Sequence, residues 1–178
     1  MRSRVTGLTV YGRYYMNTED EYLNIIKHTQ IVSIDLIVYD KDSRVLLGKR
    51  KNEPAKDNYF TPGGRVFKGE NFDEAIMRIS KNELGVELFD GKIHGVYHHT
   101  YLNNFKNDNF GTQYINFAYC FRNINMCGCT DFQNELKNQY ADQHSSLQWF
   151  SMSDLMNASD VHQNVKNYFH ANPSNKIV

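Results

Sequence analysis

The segment from residue 62 to residue 86 constrains the fold of this chain more than any other. It opens with a glycine-containing loop at residues 62–65 (PGGR). Asn71 is a residue type that caps helices, and Gly85 is suited to the left-handed conformation that ends them. The spacing between these two signals predicts a helix that contains Glu83. A loop, a helix and a stop therefore follow each other directly, and the rest of the fold has to accommodate this unit.

Strand patterns surround this unit. Residues 31–38 (IVSIDLIV) form a β-branched run with two different faces, which predicts a strand. Turn residues at 40–43 lead into residues 44–48 (RVLLG), so the two runs are predicted to pair as a hairpin. Further strands are predicted at 93–101, 113–121 and 147–151. Strands outnumber helices, and this mixture favours an α+β fold with a layered α/β/α arrangement.

Two other helices are predicted near the ends of the chain. Thr18 and Glu21 have the spacing of a capping box, and apolar residues follow them. Ser159 can cap a second helix, whose apolar stripe runs through Tyr168 and Phe169. Residues 1–15 precede the first helix, and three explanations stay open for them: vector sequence, a misplaced start, or a genuine N-terminal arm.

Length and charge exclude several classes of protein. The 178 residues fit a single domain, since domains average roughly 150 residues. Twenty basic and twenty acidic residues cancel, so neither nucleic acid nor a membrane surface is an expected partner. No run approaches the ~18 apolar residues of a membrane helix, and the N-terminus lacks a secretory signal, so we expect a soluble, cytoplasmic protein. The three cysteines, Cys120, Cys127 and Cys129, are expected to be reduced.

The loop-helix unit resembles the signature of the Nudix hydrolases, G-x5-E-x7-R-E-U-x-E-E-x-G-U, in which U is a bulky aliphatic residue. The positions that match are Gly64, Glu70, Arg78, Glu83, Gly85 and Val86. The chain departs from the signature at Ile79, Ser80 and Asn82. Residues 79, 82 and 83 share one face of a helix, so two of the carboxylates expected on this face are missing.

The same departures are found in the GDP-mannose mannosyl hydrolase branch of this family, which the chain resembles from about Asn17 to Phe169. Similar stretches outside the signature include VSIDLIV, LLGKR, HGVYHHTY and ASDVHQN. The resemblance implies a Nudix fold, in which a mixed β-sheet is sandwiched between helices, and one domain over residues 1–178. It also implies a homodimer.

The resemblance further implies one Mg²⁺ per active site. Its expected ligands are the Glu83 carboxylate, the Gln143 side chain and the backbone carbonyl of Gly63, with Mn²⁺ or Ca²⁺ as substitutes in binding. Because this site has fewer carboxylates than a general Nudix enzyme, the ion is expected to neutralise a departing diphosphate rather than to activate water at phosphorus. Glu70 is interpreted as the structural partner of Arg78, and as a weaker metal candidate.

The implied reaction is hydrolysis of GDP-mannose to GDP and the free sugar, with GDP-glucose as a second candidate substrate. A water attacks the anomeric carbon, and a single displacement inverts its configuration. His144 matches the general base of the branch. Arg50 and Arg65 match its diphosphate-binding arginines. The positions that contact the sugar, orient the site or lie near the phosphates are matched by Asp35, His99 and Tyr114.

Two other functions stay open from the residues. A conventional Nudix pyrophosphohydrolase would split the same nucleotide sugar into nucleoside monophosphate and sugar 1-phosphate, but Ile79 and Asn82 argue against it. A nucleotide-sugar-binding module without catalysis would need the arginines and no base, so the retained Glu83, Gln143 and His144 argue against it. The polar loop at residues 103–111 fits a lid, a specificity loop or a solvated connection.

Overall fold

The computed structural model describes residues 10–11, 14–15, 18–106, 108–122 and 144–178, so that Cys127, Cys129 and Gln143 lie outside the described residues. The helices in the described residues are α1 (Glu19–His28), α2 (Phe72–Leu84), α3 (Met152–Asn157) and α4 (Gln163–Asn167). The strands are β1 (Val10–Tyr11), β2 (Tyr14–Tyr15), β3 (Ile31–Val38), β4 (Val45–Arg50), β5 (Tyr59–Phe60), β6 (Gly63–Arg65), β7 (Lys92–Tyr101), β8 (Thr112–Phe121) and β9 (His144–Phe150). None of these helices combines the length and the apolar character that crossing a bilayer requires.

Two larger sheets carry most of these strands. The first has the order β6-β3-β8-β7 and is mixed, since β3 runs parallel to β8 while the other neighbours are antiparallel. The second has the order β5-β4-β9 and is antiparallel. β1 and β2 form a separate two-stranded pair. The predicted α+β fold with a mixed sheet is confirmed.

Strand β3 is the centre of the first sheet. It spans the predicted residues 31–38, and all of them except Val32 are buried. Ile34 and Leu36 pack with residues of α2 in one apolar cluster. Ile37 packs in a second cluster, with residues of α3, α4 and the second sheet. Both faces of the strand are therefore covered, which is the burial that a central strand of a layered fold needs.

The predicted hairpin of residues 31–38 with 44–48 is wrong, although its turn forms. The side chain of Asp40 holds this turn, because it accepts hydrogen bonds from the backbone N–H groups of Asp42 (2.9 Å) and Arg44 (2.8 Å). Past the turn, the pairing stops at an isolated bridge. β6 and β8 occupy the two edges of β3, so β4 joins the second sheet instead.

The predicted helix ends are confirmed at α1 and α2. Thr18 and Glu21 form the reciprocal capping box before α1. The side chain of Asn71 caps α2 and accepts a hydrogen bond from the backbone N–H of Glu74 at 2.9 Å. Gly85 ends α2 with a φ of 74°, in the left-handed region where glycine avoids the strain of a side chain. The loop-helix-stop unit therefore forms as the sequence predicts.

The C-terminal helix is shorter than predicted, and Ser159 does not cap it. α4 begins after His162, whose ring caps it. Backbone hydrogen bonds join Tyr59 to Asp160 (2.7 Å) and to His162 (3.1 Å), and they hold this stretch extended beside β5. The helix starts only where these bonds end. Tyr168 consequently lies at the C-cap of α4 rather than within a longer helix.

Candidate active site

A cavity of about 330 Å³ is walled by residues of α1, β3, β6, β7 and β8 and by the chain that follows β4. Small-molecule sites have volumes of about 300–1,000 Å³. Six of the nine predicted site residues line it, namely Asp35, Arg50, Gly63, Arg65, His99 and Tyr114. Glu83 and His144 are not part of its lining, and Gln143 lies outside the described residues. The structure thus gathers most of the predicted residues around one space.

Asp35 is a buried carboxylate in the middle of β3, and it lies opposite Gly63 of β6. The Thr61 hydroxyl donates to its Oδ2 at 3.0 Å, and the Tyr168 hydroxyl donates to the same oxygen. Burial raises the pKa of Asp35 to about 6, although these hydrogen bonds and the charge of Arg50 act in the opposite direction. Burial therefore makes the charged form of the Asp35 carboxylate less favourable than it is in water.

A chain of hydrogen bonds connects Asp35 to three neighbouring elements. Ser33 donates to Oδ1 of Asn116 at 2.7 Å, and Nδ2 of Asn116 donates to the Tyr168 hydroxyl at 2.9 Å. Nε2 of His99 lies 3.3 Å from the same hydroxyl. Burial lowers the pKa of His99 to about 3, so this imidazole is neutral near pH 7. The polar end of the cavity is therefore a preformed, mutually bonded group of side chains.

Arg50 lies at the end of β4 and is held by the chain that follows it. Its Nε donates to the backbone carbonyl of Pro54 at 2.8 Å. Its guanidinium also lies 5.9 Å from the centre of the Phe60 ring. The remaining N–H groups of a guanidinium can donate to phosphate oxygens in pairs. The position suits recognition of an anion in the cavity.

Arg65 reaches the cavity from β6, within an aromatic wall. Its guanidinium lies 4.0 Å from the centre of the Tyr22 ring and 5.2 Å from that of Phe67. The Tyr22 ring in turn stacks on Phe105, with 5.5 Å between centroids. Both Tyr22 and Phe105 line the cavity, so the loop at residues 103–111 contributes to the site and is more than a solvated connection.

Tyr114 is a half-buried phenol on β8, directly opposite His99 of β7. Burial holds its pKa well above the ordinary value, so the phenol keeps its proton and can act as a hydrogen-bond donor. Its ring meets Tyr101 edge to face at 5.9 Å. Tyr101 also lines the cavity, and its hydroxyl accepts a hydrogen bond from Asn164 at 3.2 Å.

Glu83 and His144 form a second buried group. Oε2 of Glu83 lies 2.9 Å from Nε2 of His144, and both residues are below 9% exposure. The distance is that of an ion pair, but the angles are not those of a hydrogen bond, and neither ring nitrogen has a hydrogen-bond partner in the described part of the chain. The two groups are therefore close in space but leave each other's hydrogen-bonding capacity unused.

Gly48 makes the position of His144 possible. β9 begins at His144, earlier than the predicted strand, and Arg50 of β4 lies opposite it across a register shift that starts at Gly48. A Cβ atom at residue 48 would lie 2.4 Å from Nδ1 of His144. Because glycine has no Cβ, the imidazole can lie over β4 and reach Glu83.

The face of α2 next to this group offers few metal ligands. Ile79 is 2% exposed and packs on Gly64, where a Cβ would lie 3.2 Å from its Cγ1. Asn82 is exposed. Arg78 donates to both carboxylate oxygens of Glu70, at 2.6 and 2.8 Å, which agrees with the interpretation of these two residues as a structural pair.

The described residues fit a metal site with one carboxylate ligand better than a site with clustered carboxylates. The described residues hold no group of three or more His, Cys, Asp or Glu side chains that could bind an ion. Glu83 is a buried carboxylate with no Arg or Lys partner among the ion pairs of the described residues. Such a donor set fits a divalent ion held by one protein carboxylate and neutral oxygens, and it does not fit a cluster of carboxylates.

Sequence reasoning missed the residues that hold Asp35. The sequence pattern places Tyr168 on an apolar stripe and assigns no role to Thr61 or Asn116. A weak signal exists, because Ser33 and Asp35 are polar residues on one face of an otherwise apolar strand, and Asn116 interrupts another such strand. A polar stripe inside a buried sheet needs partners, but the sequence does not say which residue supplies them.

A family profile described as the NUDIX domain matches residues 29–171. This match covers most of the chain, and the chain therefore belongs to the Nudix family. The predicted Nudix fold is confirmed, because solved structures of Nudix proteins superpose on it. A MutT protein from Methanosarcina mazei Go1 has a TM-score of 0.59 at 16% identity, over 82% of this chain and 94% of that chain.

The chain is also similar to another solved structure and to two curated proteins. A MutT NUDIX hydrolase from Burkholderia pseudomallei superposes with a TM-score of 0.59 at 21% identity, over 79% of this chain and 96% of that chain. In sequence, "Low-salt glycan biosynthesis protein Agl8" of Haloferax volcanii is 40% identical over 83 residues, which are 47% of this chain and 53% of that protein. An ADP-ribose pyrophosphatase of Methanocaldococcus jannaschii is 33% identical over 98 residues, which are 53% of this chain and 57% of that protein. The chain spans about half the length of these curated relatives.

Proposed function

We propose that this chain hydrolyses GDP-mannose, or GDP-glucose, to GDP and the free sugar. A water attacks the anomeric carbon, the bond between this carbon and the diphosphate oxygen breaks, and the configuration inverts. One Mg²⁺ assists the reaction. The homodimer stays a prediction of the resemblance, and the cytoplasmic location stays a prediction of the sequence composition.

The observation that carries the proposal is the composition of the α2 face. A reaction at phosphorus in this family uses several ions to activate water, and these ions need clustered carboxylates. Here Ile79 is buried against Gly64 and Asn82 is exposed, so Glu83 is the buried carboxylate that remains. A site that holds fewer ions favours stabilisation of the departing diphosphate over activation of water at phosphorus.

The walls of the cavity support a nucleotide sugar as ligand. Polar side chains that can bond to hydroxyls, such as Asp35 and His99, stand at one part of the wall. Arg50 and Arg65 supply cationic groups for a diphosphate. Tyr22 and Phe105 supply a flat aromatic surface beside Arg65, which suits a nucleobase. We therefore place the sugar at Asp35 and the base at the aromatic wall.

The proposed ligands of Mg²⁺ are the Glu83 carboxylate, the Gly63 carbonyl and the Gln143 side chain. When bound there, the ion supplies positive charge to the leaving diphosphate. Arg50 and Arg65 add to this charge from the walls of the cavity, so that the negative charge that develops on GDP is matched on more than one side.

His144 is the proposed general base. The unprotonated nitrogen of a neutral imidazole can take a proton from a water, and neither ring nitrogen of His144 has a hydrogen-bond partner among the described residues. Glu83 lies 2.9 Å from Nε2 and can stabilise the imidazolium that forms. The proton of the attacking water then rests on His144 as GDP leaves.

A second candidate function is a conventional pyrophosphohydrolase. One observation favours it, since a relative that is 33% identical over 98 residues is an ADP-ribose pyrophosphatase. That reaction breaks a P–O bond and yields nucleoside monophosphate and sugar phosphate. The two candidates differ in the bond that water attacks, so a single labelling experiment separates them.

The test is hydrolysis of GDP-mannose with Mg²⁺ in H₂¹⁸O, followed by proton and phosphorus NMR from the first minutes. We expect β-mannose and GDP as the first products, with ¹⁸O at the anomeric position of the sugar. Mannose 1-phosphate and GMP with ¹⁸O on a phosphate would contradict the proposal and support the second candidate. ADP-ribose and GDP-glucose, each run as the substrate under the same conditions, show which ligand the site prefers.

A further inference from the structure

We propose that Tyr168 is a positioning residue for the proposed reaction, because its hydroxyl fixes the Asp35 carboxylate and joins it to Asn116 and His99. The assignment rests on the proposed function, in which Asp35 contacts the sugar. Tyr168 is 2% exposed and is not part of the cavity lining, so it would act through these side chains and not on the substrate.

The hydrogen bonds around Tyr168 can be assigned from the number of protons available. A phenol has one proton to donate, and a carboxylate can only accept, so this proton goes to Oδ2 of Asp35. The Tyr168 oxygen then accepts from Nδ2 of Asn116 at 2.9 Å. Nε2 of His99, at 3.3 Å, must also be a donor, which places the His99 proton on Nε2.

This assignment orients both groups that the proposal places at the sugar. Oδ2 of Asp35 receives the hydroxyls of Tyr168 and Thr61. Oδ1 points to Gly63 of the cavity wall, where a Cβ atom would lie 2.3 Å from it. In His99, the proton on Nε2 leaves Nδ1 as the acceptor. One hydroxyl from the C-terminal part of the chain therefore determines which atoms of two strands are offered to a ligand.

Tyr168 is itself held firmly enough to position other groups. Its backbone N–H donates to Val165 at 3.1 Å, and its carbonyl oxygen lies 2.7 Å from Nε2 of His94. Its ring packs edge to face on Tyr97, with 4.8 Å between centroids. The phenol is thus anchored by the core on one side and bonded to the site on the other. Side chains that are locked by such contacts keep a reacting geometry within narrow limits.

The first test compares Tyr168→Phe with Tyr97→Phe in steady-state hydrolysis of GDP-mannose. Both changes remove one phenol hydroxyl from neighbouring, almost fully buried rings, but the Tyr97 hydroxyl is not placed at Asp35. For Tyr168→Phe we expect kcat to fall by about 10- to 100-fold, the effect of losing a buried hydrogen bond to a charged group. KM should change less than about threefold, because the arginines supply most of the ground-state binding.

The second test is a double-mutant cycle with Asp35→Asn. If Tyr168 acts through Asp35, Tyr168→Phe should change kcat by less than about threefold in the Asp35→Asn background. The same cycle is measured for the free energy of unfolding, to separate folding from positioning. An equal loss of kcat in both backgrounds, a rise in KM alone, or an equal loss in Tyr97→Phe would overturn the assignment.

The wild-type reaction separates this inference from the proposed function. If the wild type releases GDP and mannose while Tyr168→Phe behaves like Tyr97→Phe, the function stands and the positioning role is refuted. If the wild type does not hydrolyse GDP-mannose, the proposed function fails, and the role of Tyr168 in that reaction fails with it.

Discussion

The two parts of the candidate site differ in how completely their polar groups are paired. Around Asp35, the Thr61 and Tyr168 hydroxyls donate to the carboxylate and Asn116 donates to Tyr168, which makes a buried, bonded group. Glu83 and His144 are equally buried, but the two ring nitrogens of His144 have no hydrogen-bond partner among the described residues. The polar groups around Asp35 find their hydrogen-bond partners when the chain folds. The ring nitrogens of His144 can still form hydrogen bonds with a ligand or a water.

The two parts of the site should therefore contribute differently to the stability of the folded chain. A buried polar group without a hydrogen bond costs about 1–3 kcal/mol, so the unmade hydrogen bonds of His144 offset the stabilisation from its 2.9 Å contact with Glu83. The paired groups around Asp35 are not subject to this cost. We therefore expect changes at His144 to alter catalysis with little change in stability, and changes around Asp35 and His99 to alter both.

The largest effect is expected for His144→Gln. Loss of the proposed base should lower kcat by about 10²- to 10⁴-fold, while the affinity for GDP changes little. The free energy of unfolding should change by less than about 1 kcal/mol, because removal of the ring ends both the cost of its unmade hydrogen bonds and its 2.9 Å contact with Glu83. Product release by phosphorus NMR, calorimetry with GDP and denaturant unfolding measure these three quantities.

His170→Gln is the matched control for this change, since His170 is exposed at the surface. It should leave all three quantities unchanged. A near-normal kcat in His144→Gln would exclude His144 as the base. A large loss of stability would show that the ring is a structural element, and the proposed contrast between the two parts would be wrong.

A smaller loss is expected for Glu83→Gln. If the Glu83 carboxylate binds Mg²⁺, the concentration of Mg²⁺ that gives half-maximal activity should rise by at least about 10-fold, and kcat should fall with it. Glu87→Gln, at an exposed position just past the same helix, is the control. An Mg²⁺ titration of activity checks both variants, and an unchanged curve for Glu83→Gln would show that this carboxylate is not a ligand.

The parts of the fold that depend on local patterns could be predicted from the sequence. Asn71 and Gly85 fix the ends of α2 through their own hydrogen bonds and backbone conformation, and both predictions are confirmed. The pairing of β3 could not be predicted in this way. The turn at Asp40 favours a hairpin, but the final neighbours of β3 are chosen by burial of both of its faces, which involves strands far away in the sequence.

In the candidate site, too, the sequence predicts some residues, whereas contacts between distant parts of the chain decide others. The side chains of Asp35 and His99 were expected to face a ligand, and they line the cavity. Their anchor, Tyr168, was expected to be an ordinary apolar contact, since a tyrosine in an amphipathic stripe looks like core. Its hydroxyl meets Asp35 across 133 residues of sequence, and no spacing rule reaches that far.

The pH dependence of stability tests the paired part of the site through His99. Burial lowers its pKa from 6.5 to about 3, so below about pH 6.5 the unfolded chain binds a proton that the folded chain does not. Stability should therefore fall as the pH falls through this window, by about 2–3 kcal/mol at pH ~4.5 from this residue. His99→Gln should remove that part of the loss.

Denaturant unfolding at pH ~7 and pH ~4.5 measures this effect as the difference between wild type and variant. The difference is needed because Asp35 acts in the opposite direction: its pKa is raised to about 6, so its contribution to stability declines as the pH rises. His28→Gln, at the exposed end of α1, should keep the wild-type pH dependence. If His99→Gln keeps it as well, the imidazole takes up its proton in the folded state and the polar group is less closed than proposed.

The smallest effect is expected for Asn82→Glu, which restores one carboxylate of the Nudix signature. Because Asn82 is exposed, the free energy of unfolding should stay within about 0.5 kcal/mol of the wild type. Ile79 still fills the other altered position of the α2 face, so one restored carboxylate at an exposed position should leave the Mg²⁺ titration and the products unchanged. Denaturant unfolding and the NMR assay of products check this. Half-maximal activity at a lower Mg²⁺ concentration, or GMP among the products, would mean that residue 82 reaches the ion. In that case the single buried carboxylate of α2 would not explain cleavage at carbon.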